Sequence, residues 1–466
     1  MSGPELIRGL GRRDATALVV GTIIGTGVFL KTTPMAQAVG SPAWVLAAWL
    51  VAGAMSLAGA LAYAELGALL PRAGGEYTFL RAAYGDLPAF LFGWMRIAVG
   101  GSGSIAIFGV AFATFLSALI PLDAVWLRRS FHLFGDQIDW QLGSRQLVSV
   151  AVITICSAVN CLRVVFGGRF QSVITLVKLV SIAAIVVGVF LFGKGTSWEH
   201  FAAPTGAGEW RGWPAFGAAV LAALWSFDGW NNMPMVAGEV REPGRNIPAA
   251  LMAGMAIVLV AYGLANLAYF YALPFSEILS ANSTGHRDAL PVAAKAAQSF
   301  LGENGPKLVS LAFLLSAVGV LNGSILTNAR VPYAMARDGL FFRRFATLNA
   351  RTSVPVAAIA GQAVWASVLA VSGTFDQLTN CVVFAGFMFY ALTTSAVFVL
   401  RRKMPDALRP YRTIGYPFLP ALFILVSLAL LWNTLTAARL ESLVGLGLIA
   451  LGLPVYFLLK RQTQPL

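Results

Sequence analysis

The chain has 466 residues, 58% hydrophobic and 11% charged, with a mean hydropathy of +0.75. A soluble domain carries about 25% charged residues, so this composition excludes an ordinary water-soluble enzyme, a disordered chain and a disulfide-framed secreted domain. Lys and Arg exceed Asp and Glu by 13 (33 against 20), an excess that belongs to the cytoplasmic loops of a membrane protein, not to a nucleic-acid partner.

A spanning helix needs roughly 20 apolar residues. About twelve such segments can be placed, near 16–38, 43–69, 87–119, 146–166, 171–193, 214–237, 248–274, 307–336, 354–373, 378–400, 417–437 and 442–460. The first is not a cleavable leader, since it lacks a small-residue cleavage site and a second span follows closely. With the N-terminus inside, the inner side holds Arg8, Arg12, Arg13, Arg72, Arg81, Arg163, Arg169, Arg241, Arg245, Arg337, Arg343, Arg344, Arg351, Arg401-Arg402-Lys403, Arg409, Arg412, Lys460 and Arg461. The outer loops hold far fewer, chiefly Arg128, Arg129, Lys194, Arg211, Arg287, Lys295 and Arg439. The imbalance is roughly threefold and places both termini in the cytoplasm.

The first span reads Gly21-Thr22-Ile23-Ile24-Gly25-Thr26-Gly27. Each glycine weakens a helix by about 1 kcal/mol relative to Ala. Gly21 and Gly25 fit close helix packing through small residues. Thr26 and Gly27 fit an unwound point whose free N–H groups face an anion. Both readings stay open.

In the fifth span Lys178 stands about seven residues into the apolar run. It either snorkels or turns inward to oxygen partners, for which carbonyls of the first span and oxygens of the eighth are the candidates. Burial would make proton coupling conceivable.

The sixth span contains Trp225-Ser226-Phe227-Asp228-Gly229-Trp230-Asn231-Asn232-Met233-Pro234. A carboxylate inside a span marks a functional site by default, with a structural brace as the alternative. Interruptions in the first and sixth spans occupy matching positions if spans one to five and six to ten are inverted repeats, which is the sequence sign of a transporter site. Half-helix N–H groups suit a carboxylate and unwound carbonyls suit an ammonium, so a free amino acid is the expected ligand, surrounded by Ile23, Ile24, Gly25, Thr26, Gly27, Trp225, Ser226, Phe227, Asp228 and Gly229.

Cys156, Cys161 and Cys381 lie in apolar runs with no metal spacing, and His132, His200 and His286 lie in polar connections. No metal, cofactor or nucleophile–base pair is expected. Neither a pore, lacking rings of charge or a filter loop, nor a non-transporting sensor, whose signalling domain the short tail after Lys460 does not supply, fits as well.

Tyr63-Ala64-Glu65-Leu66-Gly67, Leu70-Pro71-Arg72-Ala73-Gly74-Gly75-Glu76-Tyr77 and Ala83-Tyr84-Gly85 resemble the signature loop of amino acid–polyamine–organocation transporters. Phe227-Asp228-Gly229-Trp230-Asn231-Asn232, Gly238-Glu239, Arg245-Asn246-Ile247-Pro248, Val320-Leu321-Asn322-Gly323-Ser324, Arg330 and Ala334-Met335-Ala336-Arg337-Asp338-Gly339 resemble the L-type amino acid transporter branch.

The resemblance implies an all-α polytopic fold of leucine-transporter type in one domain, with inverted repeats over 14–195 and 212–402 and two further helices over 415–461. It implies alternating access, with N–H groups of Thr26 and Gly27 on a substrate carboxylate and carbonyls of Ile23, Trp225 and Asp228 on its amine. It makes Trp225 a gate, or a core aromatic, and Asn231 a brace. It makes Lys178 a tie from the first helix to the eighth, with Asn322 and Ser324 as partners.

The expected activity is sodium-independent exchange of neutral amino acids across the plasma membrane, in a lipid bilayer. Many relatives have Gly where Asp228 stands, so proton-coupled or exchange transport of cationic amino acids or polyamines through Asp228 is the alternative. No cysteine stands in 121–145, so no disulfide-linked heavy subunit is expected. The sequon Asn282-Ser283-Thr284 is taken as coincidence.

Overall fold

The computed structural model describes residues 6–117, 119–133, 136–162, 164–202, 211–283, 289–372, 375–437 and 439–463. Arg163, Arg287 and Thr284, used in the topology and sequon readings, lie outside them, as does the side chain of Cys381. Among the described residues nine helices are long and apolar enough to cross a bilayer. Helices Ser144–Asn160 and Val356–Ser372 are apolar but shorter. The sixth expected span is divided, an α-helix Gly212–Phe227 followed by a 3-10 helix Trp230–Glu239. Each expected segment overlaps helix among the described residues, and the fold is all-α and polytopic.

One polar connection departs from that expectation. Val125–Leu133 and Asp136–Gly143 pair as an antiparallel hairpin between the third and fourth spans. The stretch is too polar to be a span, and its mixture of Trp, Leu, Ile and Phe with charged residues suits a short exposed ladder. The indole N–H of Trp140 anchors it to the Val371 carbonyl at 2.8 Å.

The first, second, sixth and seventh spans pack into one apolar core, with Val19, Trp49, Tyr63, Phe227, Met255 and Tyr262 all buried. Several spans carry apolar residues around most of their circumference, and their outward residues, such as Leu176, Leu191 and Trp432, are exposed as lipid-facing groups would be. The second span, Pro42–Leu69, opens with proline in its first turn, where the missing N–H costs nothing. The third, Asp86–Leu116, contains a π-helical turn at Arg96–Gly100. Such turns are rare and cluster at functional sites.

Candidate functional site

The first span stops where its glycines begin. Helix Arg12–Ile23 ends at Ile24, which turns to φ −70°, ψ 92°, and the chain resumes as Gly27–Leu30 and Thr32–Val39. Among the described residues the N–H groups of Gly25 and Thr26 donate to no backbone carbonyl. The two sequence readings apply to different glycines. A Cβ on Gly21 would meet Thr175 Oγ1 at 2.3 Å, so that glycine serves helix packing. A Cβ on Gly27 would meet the Ser226 Cβ at 2.6 Å, so that one lets the first break touch the sixth span.

The sixth span breaks against it. Helix Gly212–Phe227 ends at Asp228, in extended geometry, and Gly229 takes φ +124°. That conformation is open to glycine and strained for other residues. A Cβ there would also lie 2.6 Å from the Thr22 carbonyl oxygen. The Thr22 hydroxyl in turn donates to the Gly229 carbonyl at 3.1 Å.

Freed carbonyls need donors. Lys178 Nζ donates to the carbonyls of Gly21 and Ile24, each at 2.8 Å. Lys178 lies fourteen residues from either end of the 29-residue helix Val164–Phe192. Each end is therefore about 21 Å away along the axis, beyond any snorkelling reach. The Ser316 hydroxyl of the eighth span donates to Ile24 at 3.0 Å and Gly25 at 3.2 Å. The Tyr262 hydroxyl of the seventh span lies 3.2 Å from the Ile23 carbonyl and 2.9 Å from that of Ser226, bridging both breaks.

A narrow cavity opens between the breaks. Ile23, Gly25, Thr26, Gly27, Trp225, Ser226, Asp228, Gly229 and Ser324 line it, with Thr22, Ser104, Phe108, Asn232 and Val320. Ile24 and Phe227 do not. Ile24 contributes its backbone carbonyl, while Phe227 packs edge-on to Trp49 at 5.7 Å and against Tyr262 at 5.0 Å. Trp225 forms one wall and Lys31 Nζ sits 4.7 Å over its ring, a cation–π contact. The Asp228 side chain is half-buried, and its Oδ1 accepts from the Tyr390 hydroxyl at 2.8 Å.

Three expected placements are corrected. Asn322 does not partner Lys178: its amide donates to Gln171 Oε1, and its oxygen accepts from Asn160, both at 2.8 Å. Ser324 faces the cavity, about two turns beyond Ser316, which is the hydroxyl that reaches the first break. Among the described residues Asn231 braces the sixth break by no hydrogen bond, and its side chain faces Glu76. Thr22, Tyr262 and Tyr390 hold the sixth break instead.

On the expected inner side the connection 70–85 packs against the sixth span. Gly74 N–H donates to the Met235 carbonyl at 2.9 Å, and a Cβ on Gly75 would lie 2.9 Å from Met235 N. Helix Glu76–Tyr84 presents Tyr77 and Arg81 to Asp338, at 3.0 and 2.7 Å. Burial disfavours the Arg81 charge, but Asp86 and Asp338 outweigh it and hold the guanidinium above its usual range. Arg330 and Glu239 form a fully buried bidentate pair at 2.9 and 3.2 Å. Among the described residues no group of His, Cys, Asp and Glu could hold a metal ion.

Tyr262, Ser316 and Tyr390 were not singled out by sequence. Each is an ordinary hydroxyl residue in an apolar run, and only the fold aims it at a break. Lys31, inside the first expected segment and between Gly27–Leu30 and Thr32–Val39, was not singled out either.

Against known proteins, the profile described as amino acid permease matches residues 10–450. The chain is 32% identical over 459 residues to the serine/threonine exchanger SteT of Bacillus subtilis (strain 168), covering 97% of both chains. It is 30% identical over 461 residues to the large neutral amino acids transporter small subunit 2 of Homo sapiens, covering 98% of this chain and 81% of that one. It is 29% identical over 443 residues to the human cystine/glutamate transporter, covering 95% and 83%.

Proposed function

The chain belongs to the amino acid permease family, and on that premise we propose that it exchanges neutral L-amino acids across the plasma membrane, independently of sodium, by alternating access. It is a multi-pass membrane transporter of amino acids, not an enzyme. One observation carries the sodium-independent part: the Lys178 ammonium is seated on the Gly21 and Ile24 carbonyls at the first break. A fixed cation there does the work that a bound metal cation would otherwise do. The neutral substrate class draws on the serine/threonine and large neutral amino acid relatives, and exchange on the exchanger among them.

In this reading the backbone N–H groups of Thr26 and Gly27 hold the substrate carboxylate. The carbonyls of Trp225 and Asp228 hold its amine, while the Ile23 carbonyl is shared with Tyr262. Trp225 covers the ligand. The spans fall into inverted repeats over 14–195 and 212–402 with two further helices over 415–461, and both termini lie in the cytoplasm. The hairpin connection 121–145 has no cysteine, so the transporter works without a disulfide-linked partner.

Counterflow of labelled serine, alanine and leucine in proteoliposomes tests this. Exchange without sodium supports it, and flux that requires a sodium gradient sinks it. A second reading rests on the half-buried Asp228 carboxylate at the cavity wall: cationic amino acids are taken, their side-chain charge paired with Asp228. Unaltered arginine exchange by Asp228→Asn would end that reading.

A further inference from the structure

A second polar cluster lies where the connection 70–85 meets the sixth span, and the exchange reading makes no use of it. At its centre is Glu76, fully buried. The Tyr63 hydroxyl of the second span donates to Glu76 Oε1 at 2.9 Å, and among the described residues Oε2 accepts no hydrogen bond. The Tyr63 and Tyr390 rings meet edge to face at 6.5 Å, and Tyr390 in turn holds Asp228. The two carboxylates are thus joined through two tyrosines, one end at the cavity and the other in the inner connection.

Charge is unbalanced there. Arg96, which opens the π-helical turn of the third span, acts on both carboxylates, and its NH2 is bonded to Asn232 and Asn328. The groups facing Glu76 are Tyr63 from the second span, Arg96 from the third, Asn231 and Asp228 from the sixth and Tyr390 from the tenth. With Asp228 at the cavity wall and one guanidinium shared between the two carboxylates, an ionised Glu76 keeps its charge fully buried, which is costly. Lys178 does not relieve it, being seated on the first break.

The geometry points to Glu76 as a proton-binding site that links amino acid exchange to pH, an inference that rests on the transport reading for its cycle. The proton adds to Oε2, turning the carboxylate into a neutral acid while Tyr63 keeps its bond to Oε1. It returns to bulk water when the connection 70–85 parts from the sixth span, where Gly74 and Met235 now join them. Burial, with the Asp228 charge, pushes the Glu76 carboxyl up to about 7, against the opposing pull of Arg96, Tyr63 and Asn231.

A raised carboxyl stabilises the folded protein below the ordinary carboxylate range, and that contribution is lost as pH rises through about 7. Thermal unfolding of the purified protein from about pH 5 to about pH 8.5 reads this without any transport. Wild type loses thermal stability across neutrality, and Glu76→Gln flattens that slope. In proteoliposomes, serine counterflow falls about tenfold as pH rises through neutrality, as for one titrating group, and Glu76→Gln removes the dependence.

Should that variant not fold, Tyr63→Phe removes only a hydrogen bond that favours the charged form, so it moves both midpoints to higher pH. A Glu76→Gln protein with the wild-type pH profile, or a Tyr63→Phe protein with an unmoved midpoint, overturns the proposal. Wild-type protein that titrates in the melt but exchanges no amino acid overturns the transport reading and leaves the proton site standing.

Discussion

The two helix breaks meet the same problem with opposite charges. At the first, the carbonyl end of Arg12–Ile23 gathers around an ammonium, Lys178, and a hydroxyl, Ser316. A cation at a helix C-terminus agrees with the macrodipole. At the second, the residue that ends Gly212–Phe227 is itself an acid, Asp228. A carboxylate on the negative end of a helix is disfavoured by about 0.3–1 kcal/mol. The first break is therefore built as local electrostatics would build it, and the second against them. A group kept where local physics opposes it is where function is to be sought.

That contrast can be broken by substitution. Gly229→Val should do most damage, because it combines the φ of +124° with a backbone collision at the Thr22 carbonyl. Its cost exceeds about 4 kcal/mol, seen as loss of monodisperse protein. Lys178→Ala strips two carbonyls of a charged donor and should cost about 3 kcal/mol, with at least a tenfold fall in counterflow. Unchanged melting would refute the account of the first break.

Tyr262→Phe removes one shared hydroxyl and should cost about 1.5 kcal/mol in denaturation. Ser316→Ala should cost less, about 0.5–1 kcal/mol, because Lys178 still serves the Ile24 carbonyl. Asp228→Asn should be the mildest, within about 0.5 kcal/mol of wild type: the amide oxygen still accepts from Tyr390, and the charge leaves the wrong end of a helix. A large loss there would mean that the two breaks are not opposed as described.

Fold class and spans were legible because apolar length is a one-dimensional property. Residues 243–272, for example, declare themselves as a helix long enough to cross a bilayer. The breaks were legible because Gly25-Thr26-Gly27 and Asp228-Gly229 violate the pattern around them. Lys178 was visible as a charge out of place, but its depth was not: the helix begins at Val164, seven residues before the expected 171. The partners of the breaks were illegible for a different reason. Ser316 and Asn322 lie six residues apart on one helix, and which of them faces Ile24 depends on helix rotation, a property of three-dimensional packing. Glu76 stood within the family signature but carried no sign that it would be buried.

Tyr262 has one hydroxyl hydrogen and two carbonyls within reach, one from each break. It cannot satisfy both at full strength at once. A donor placed this way resembles a bearing more than a bolt: in the proposed alternating-access cycle, a slide of one broken helix past the other would pass the hydrogen between them and leave neither surface stranded without a contact. Friction between two moving segments is low when the bond lost and the bond gained share the same atom.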